Sequence, residues 1–246
     1  MPENISLFIP SYNIDSYLVK NIPACFESLA KSYSGFEIII VDDNSSDGTS
    51  QSVNGMSRDI AASSGRIKYM YFANGPSRRE NLAKAFNSAE YDTVAFMDGD
   101  FSCDISYLIE AHGILEMKDL DIVIGSRYIK GAKVRRKIVR RILSFFYNRT
   151  VRLLFGSKVM DHQCGLKVFK KNTVMRVIGD MGYDDRFQRG WFWDAELLIR
   201  VQKNGLKLHE MPVKWDYSDV SSFNLIRELR SLAAIIRLKI NYILKK

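Results

Sequence analysis

Glu37-Ile38-Ile39-Ile40-Val41-Asp42-Asp43-Asn44-Ser45-Ser46-Asp47-Gly48-Thr49 runs from a strand through a polar turn into a helix start. The short β-branched run, bounded by turn residues, reads as a strand buried on both faces. Asp47 and Thr49 are helix-capping residues, so a helix is expected after the loop. A buried strand passing directly into a helix is the repeating unit of a parallel sheet.

The same alternation extends to both sides. Ile5 to Pro10 reads as a strand stopped by proline, followed by a helix over 14–32. Lys68–Phe72, Thr93–Met97 and Asp121–Gly125 read as strands, with helices over 78–88 and 105–117 between them. Further helices are expected over 130–152, after a loop, and over 193–203, ended by Gly205. Leu206–Trp215 reads as a strand and 223–244 as a basic amphipathic helix. The fold class is therefore α/β, with a mainly parallel sheet flanked by helices. Residues 1–220 read as one domain, and 221–246 as a helix belonging to the same unit. Such sheets bind ligands beyond the carboxyl ends of their strands. The segments 42–49, 98–100 and 125–128 fall there.

Bulk properties limit the alternatives. The chain has 246 residues, enough for one large domain with a sizeable core. Cys25, Cys103 and Cys164 are scattered, which argues against a disulfide framework or a zinc site and fits a reducing compartment. The start at Met1 lacks a signal-peptide pattern, and no apolar stretch is long enough to span a bilayer. The net charge of +8 is uneven: residues 122–160 hold eleven Lys or Arg and no Asp or Glu. The last stretch is also basic, so the excess marks contact surfaces. A nucleic-acid face would give such a charge run, but no nucleic-acid module is present.

Asp98-Gly99-Asp100 follows the apolar run Thr93–Met97. In an extended segment, residues two apart share a side, so the carboxylates are expected to converge at a strand end. The glycine between them lets another group approach closely. Oxygen-only ligands suit Mg²⁺ or Mn²⁺, held by carboxylates together with substrate phosphates. Arg78, Arg79 and Lys84 near Gly75-Pro76 read either as phosphate contacts or as a solvated face.

Taken together, several segments resemble family 2 inverting glycosyltransferases of the GT-A fold. They are Ile9–Asn13, Val41–Thr49, Asp98–Asp100, Gly125–Tyr128, Asp161–Phe169 and Trp193–Leu198. Within that family the chain looks most like the polyprenyl-phosphate and dolichyl-phosphate hexosyltransferases. Asp161–Phe169, Trp193–Leu198 and Glu210–Trp215 look closest to the dolichyl-phosphate glucosyltransferase branch. The resemblance implies a nucleoside site at Pro10, Tyr12, Asp42, Asp43 and Asp98, and a metal at Asp98 and Asp100. It implies an acceptor phosphate at Arg127, Arg140 and Ser144, with Asp161 and Gln163 near the sugar. Asp194 is either a general base for a hydroxyl acceptor or a positioning group.

The implied activity is metal-dependent transfer of a hexose from a nucleotide-diphosphate sugar to a polyprenyl monophosphate, peripheral at the cytoplasmic face of a membrane. A UDP-glucose-like donor is favoured. Two alternatives stand beside it: transfer to a sugar hydroxyl, and a non-catalytic protein that binds membrane or nucleic acid. The chain departs from the family pattern at Ile14, where relatives often carry Glu. It departs again at Ser102, where a supplementary Gln ligand is common, which weakens a mannose or GDP assignment.

Overall fold

The computed structural model describes residues 4–59, 65–76, 79–135, 138–183, 189–190, 192–216 and 235–240. The strands are β1 (Ile5–Ser11), β2 (Phe36–Asp42), β3 (Gly65–Tyr71), β4 (Thr93–Met97), β5 (Ile122–Ser126), β6 (Lys133–Val134), β7 (Leu166–Lys170), β8 (Leu208–Pro212) and β9 (Lys214–Trp215). The helices are α1 (Asp15–Ser32), α2 (Thr49–Asp59), α3 (Arg79–Ala85), α4 (Ile105–Met117), α5 (Ile138–Phe155), α6 (Lys171–Met181) and α7 (Phe192–Lys203).

Seven strands form one sheet in the order β3-β2-β1-β4-β7-β5-β8. Every pairing is parallel except the two that β7 makes with β4 and β5. Six carboxyl ends and the start of β7 therefore share one edge. β6 and β9 form a separate parallel pair.

Strand alternation divides the core between the two faces of the sheet. Leu7, Ile38 and Ile40 pack toward α1 and α4 through Leu18, Ile22 and Leu108. Phe8, Ile39 and Phe96 pack the other way, against Leu82 of α3, Val177 of α6 and Trp193 of α7. A continuous apolar run such as Ile38–Val41 arises because both faces of β2 are covered. A third cluster joins Val151 of α5, Ile199 of α7, Ile235 and Leu238.

The expected α/β architecture is present, with three revisions. The reading over 206–215 divides into β8 and β9, which lie in different sheets. β7 and α6 are elements that the sequence reading does not include. Of the expected C-terminal helix only 235–240 lies within the described residues; it is helical and packs on the domain through Ile235 and Leu238.

Candidate active site

The loops after β1 and β2 are joined by short polar side chains. Asn13 N–H donates to Ser45 Oγ at 2.9 Å, and Ser46 N–H donates to Asn13 Oδ1 at 2.8 Å. Asn13 and Asn44 both have positive φ, which asparagine tolerates in tight turns. Beside these loops Tyr12 is 39% exposed and Pro10 half-buried.

The two neighbouring aspartates have different surroundings. Asp42 Oδ1 accepts from Ser45 N–H and Oγ, while Oδ2 accepts from Tyr69 Oη at 2.5 Å. Burial and then Asp42 push the Tyr69 phenol up to about 12, so it stays a donor. Asp42 thus frames the loop with both oxygens. Asp43 Oδ1 accepts from Asn81 Nδ2 at 2.7 Å, which ties β2 to α3.

The Asp98–Asp100 segment is a turn. Phe101 N–H donates to the Asp98 carbonyl at 3.1 Å, and Phe101 has φ 50°. The expectation that strand alternation aligns the two carboxylates is corrected: the turn carries both beyond the end of β4. The close neighbours of Gly99 belong to the chain itself. A Cβ there would collide with Ile14 and sit 2.9 Å from the Pro10 carbonyl. Asp100 accepts from Ser102 N–H at 3.0 Å and Ser102 Oγ at 2.9 Å. Ser102 therefore orients the Asp100 carboxylate at the position where a Gln is expected from the resemblance. Asp98 lies directly against Gly165, where any Cβ would overlap its carboxylate. Gly165 is needed because β7 starts so close to the end of β4.

Asp98 also takes part in a chain of charges that the sequence does not disclose. Arg79 Nη2 donates to Asp98 Oδ1 at 2.8 Å, and Arg79 Nε donates to Asp194 Oδ2 at 3.2 Å. Asp194 Oδ1 accepts from Lys167 Nζ at 2.9 Å. Lys167 is fully buried, one residue into β7. Burial raises the Asp194 carboxyl, but Lys167 and Arg79 more than offset this and hold it below the ordinary carboxylate value. Glu196, two residues on, is paired with Arg189 and Arg200.

On the β5 side, Arg127 makes a two-pronged bond to Asp161, Nε to Oδ2 at 2.7 Å and Nη2 to Oδ1 at 2.8 Å. Its backbone N–H also donates to Oδ2, and the guanidinium stacks 5.0 Å from the Trp215 ring centre. The planar fork that the resemblance implies for a phosphate is engaged by Asp161, and Asp161, expected near the sugar, is buried as its counter-ion. Burial raises Asp161, yet Arg127 more than compensates and keeps it ionised. Glu210 braces the pair by accepting from the Met160 and Asp161 amides. Gln163 is half-buried, with its N–H on Asp161 Oδ1.

Arg127 also borders a cavity of about 340 Å³ with Tyr128, Ile129, Ala132, Val134 and Arg141. From α5, the arginine lining it is Arg141, next to the expected Arg140, which is half-buried. Ser144 is buried, and its hydroxyl has no hydrogen-bond partner among the described residues. Asn148, one turn further, locks α5 to the 161–163 segment. Its Oδ1 accepts from the His162 backbone N–H and from Nδ1, so Nε2 accepts from Ser157 Oγ. Burial pushes the His162 imidazole down to about 4, so it is a neutral structural link.

As a metal site, the residues offer only hard oxygen donors. Cys103 and Cys164 are buried near them, but burial raises both thiols, Cys164 up to about 12, so neither is a thiolate ligand. Among the described residues no three His, Cys, Asp or Glu converge on one point. A carboxylate pair without a closed protein cage suits Mg²⁺ or Mn²⁺ completed by substrate phosphates.

Comparisons with known proteins give the family and the fold. Glycosyltransferase AglD of Haloferax volcanii is 28% identical over 234 residues, covering 94% of this chain but 36% of the relative. The chain thus spans about a third of that relative's length. The dolichyl-phosphate beta-glucosyltransferase of Saccharomyces cerevisiae is 25% identical, covering 98% of this chain and 75% of the relative. Glucosyl-3-phosphoglycerate synthase of Mycobacterium tuberculosis, solved with Mn²⁺, UDP-glucose and phosphoglyceric acid, superposes with a TM-score of 0.64 at 13% identity. That match covers 96% of this chain and 79% of the synthase, and the likeness shows the GT-A fold. The glycosyl transferase family 2 pattern matches residues 6–177, most of the sheet and the loops at its carboxyl edge. By that match the chain belongs to glycosyl transferase family 2.

Proposed function

We propose that this glycosyltransferase moves a hexose from a nucleotide-diphosphate sugar, UDP-glucose-like in kind, to a polyprenyl or dolichyl monophosphate. The observation that carries this reading is the state of Asp194. A general base needs a free lone pair and a pKa near the working pH. Asp194 has both oxygens on cations and a depressed pKa. An alcohol acceptor must lose a proton during attack. A phosphate monoester, with a second pKa of about 6, is already anionic at neutral pH. The site therefore suits an acceptor that arrives ionised, and Asp194 serves to position Arg79. The name of the yeast relative, which joins glucose to dolichyl phosphate, supports the same acceptor class.

In this reading Tyr12, Pro10 and Asp43 contact the nucleoside, and Asp42 shapes the loop that holds them. Asp98 and Asp100 hold a divalent cation, Mg²⁺ or Mn²⁺, whose chemistry is to neutralise the leaving diphosphate. Arg140, Arg141 and Ser144 orient the acceptor phosphate, on a wall fixed by Arg127 and Asp161, with Gln163 near the sugar. Attack from the face opposite the diphosphate inverts the anomeric centre, so an α-linked donor gives a β-linked lipid product.

The acceptor is a lipid, and the outer face of α5 suits a membrane surface. Ile138, Ile142, Phe145 and Phe146 are exposed there, with Arg141 and Arg149 among them. No helix among the described residues is long and apolar enough to cross a membrane. The protein on this account works peripherally at the cytoplasmic face. A product-release screen of UDP- and GDP-sugars against a short polyprenyl phosphate, with Mn²⁺ or Mg²⁺, tests the proposal. Turnover with a UDP-hexose supports it; no release on the polyprenyl phosphate, with release once a sugar bearing free hydroxyls is offered in its place, overturns it.

A further inference from the structure

Arg79 stands between the two acidic groups at the mouth of β4. It touches Asp98 through Nη2 and Asp194 through Nε, with its guanidinium carbon 5.2 Å from the Phe96 ring centre. The two partners are held very differently. The Asp194 side chain is 6% exposed and secured by Lys167, which itself donates to the Cys164 carbonyl at 2.6 Å. The Asp98 side chain is 30% exposed, and Arg79 donates to only one of its oxygens. One end of the bridge is buried and shared with a second cation, Lys167; the other, though shorter, is partly open to solvent.

Asp98 is also the carboxylate proposed to take the divalent cation. A carboxylate oxygen engaged by a guanidinium is blocked to a metal, and two cations at one oxygen repel. Arg79 and Lys167 balance Asp98 and Asp194, so a bare dication gains little net attraction from these four groups and must displace the guanidinium from Asp98. A dication that arrives with a diphosphate brings its own compensation. A guanidinium has donors on separate edges, so it can keep one carboxylate while turning another edge to phosphate oxygens.

We infer that Arg79 is a cation place-holder that changes partner as donor binds. It neutralises Asp98 before donor arrives, cedes it to the divalent cation, and turns the released Nη2 edge onto the diphosphate. Its Nε stays on Asp194 throughout. This rests on the proposed donor chemistry, and it gives Asp194 a role that needs no proton transfer. It also makes cation and nucleoside diphosphate bind together, with the cation alone held weakly.

The test uses the full chain and needs no turnover. Mn²⁺ binding is read by electron paramagnetic resonance without nucleotide. UDP and GDP binding are read by calorimetry at saturating Mn²⁺, with thermal melts as the folding check. In Arg79→Gln, Mn²⁺ alone is expected to bind roughly fivefold more tightly, since a competing cation has gone. The preferred nucleotide is expected to bind roughly tenfold or more weakly, since a charged hydrogen bond to phosphate is lost. Arg79→Lys keeps the charge but not the fork; it should leave Mn²⁺ binding unchanged and still weaken the nucleotide, and it carries the test if Arg79→Gln does not fold. Nucleotide affinity unchanged in the folded variants overturns the inference, whatever Mn²⁺ does. Wild-type protein that binds neither UDP nor GDP with Mn²⁺ overturns the donor reading itself.

Discussion

Two arginine–aspartate pairs sit at the same edge of the sheet and are built to opposite ends. Arg127–Asp161 is buried, two-pronged, reinforced by a backbone amide and stacked on Trp215. Arg79–Asp98 is partly exposed and joined by one hydrogen bond, on a side chain anchored elsewhere. A buried pair punishes the loss of either partner, because the survivor is left charged without water. A partly exposed pair is worth about 1 kcal/mol or less and can be exchanged for another cation. On the proposed reading the first pair holds the acceptor wall in place, and the second lies where donor and metal enter.

Removing Asp161 should therefore be the most damaging change. Asp161→Ala strands the Arg127 guanidinium in the interior, and the expected loss is about 3–5 kcal/mol, read by chemical denaturation. A loss as small as that of a surface pair would erase the contrast. Asp98→Asn should do the reverse. Transfer should fall about 10²–10³-fold, the range for losing one transition-state charge contact, while the melting transition stays near wild type. Joint collapse of stability and activity would mean that Asp98 also holds the fold.

The His162 link between α5 and the Asp161 segment adds a pH dependence on the acceptor side. Burial holds its folded-state pKa at about 4, against an ordinary value of 6.5. Between those values the unfolded chain binds the extra proton and the folded chain does not. Its contribution is full above about pH 6.5 and is lost as pH falls toward 4, by up to about 3 kcal/mol. Denaturant midpoints at pH 7 and pH 5 measure this, and His162→Gln should flatten the difference.

Asp194→Asn sharpens the donor side. Loss of an anchor should cost no more than about tenfold in kcat per folded molecule, against about 10² or more for loss of a true base. The smallest stability effect belongs to the outer face of α5. Phe146→Ser should change stability by about 0.5 kcal/mol or less, while binding to anionic vesicles weakens.

What the sequence discloses divides along the same line. The segments proposed for the donor are easy to single out because they are contiguous: Val41–Thr49 and Asp98–Asp100 carry strand end, turn and carboxylates within single segments. The geometry of Asp98 and Asp100 escapes a sequence reading, since a strand period does not hold in what is a turn. The Arg127–Asp161 pairing, on the side proposed for the acceptor, is harder to read. It depends on β7 entering antiparallel between β4 and β5, a pairing that no local pattern specifies. Arg127 and Asp161 are 34 residues apart, and Arg79 and Asp194 are 115 apart. Their types are visible in the sequence, but their pairing is not. Lys167 gives no signal of its own, because a lysine on a strand ordinarily reads as exposed. The one available hint is the motif around it, from Asp161 to Phe169, which the resemblance marks without assigning the lysine a task.

The central claim is that the acceptor arrives already ionised. Purified protein with Mn²⁺ and labelled UDP-glucose should be offered a short polyprenyl phosphate and, separately, the corresponding polyprenol. A labelled β-linked glycolipid is expected from the phosphate and none from the alcohol. Equal or faster transfer to the alcohol would contradict it.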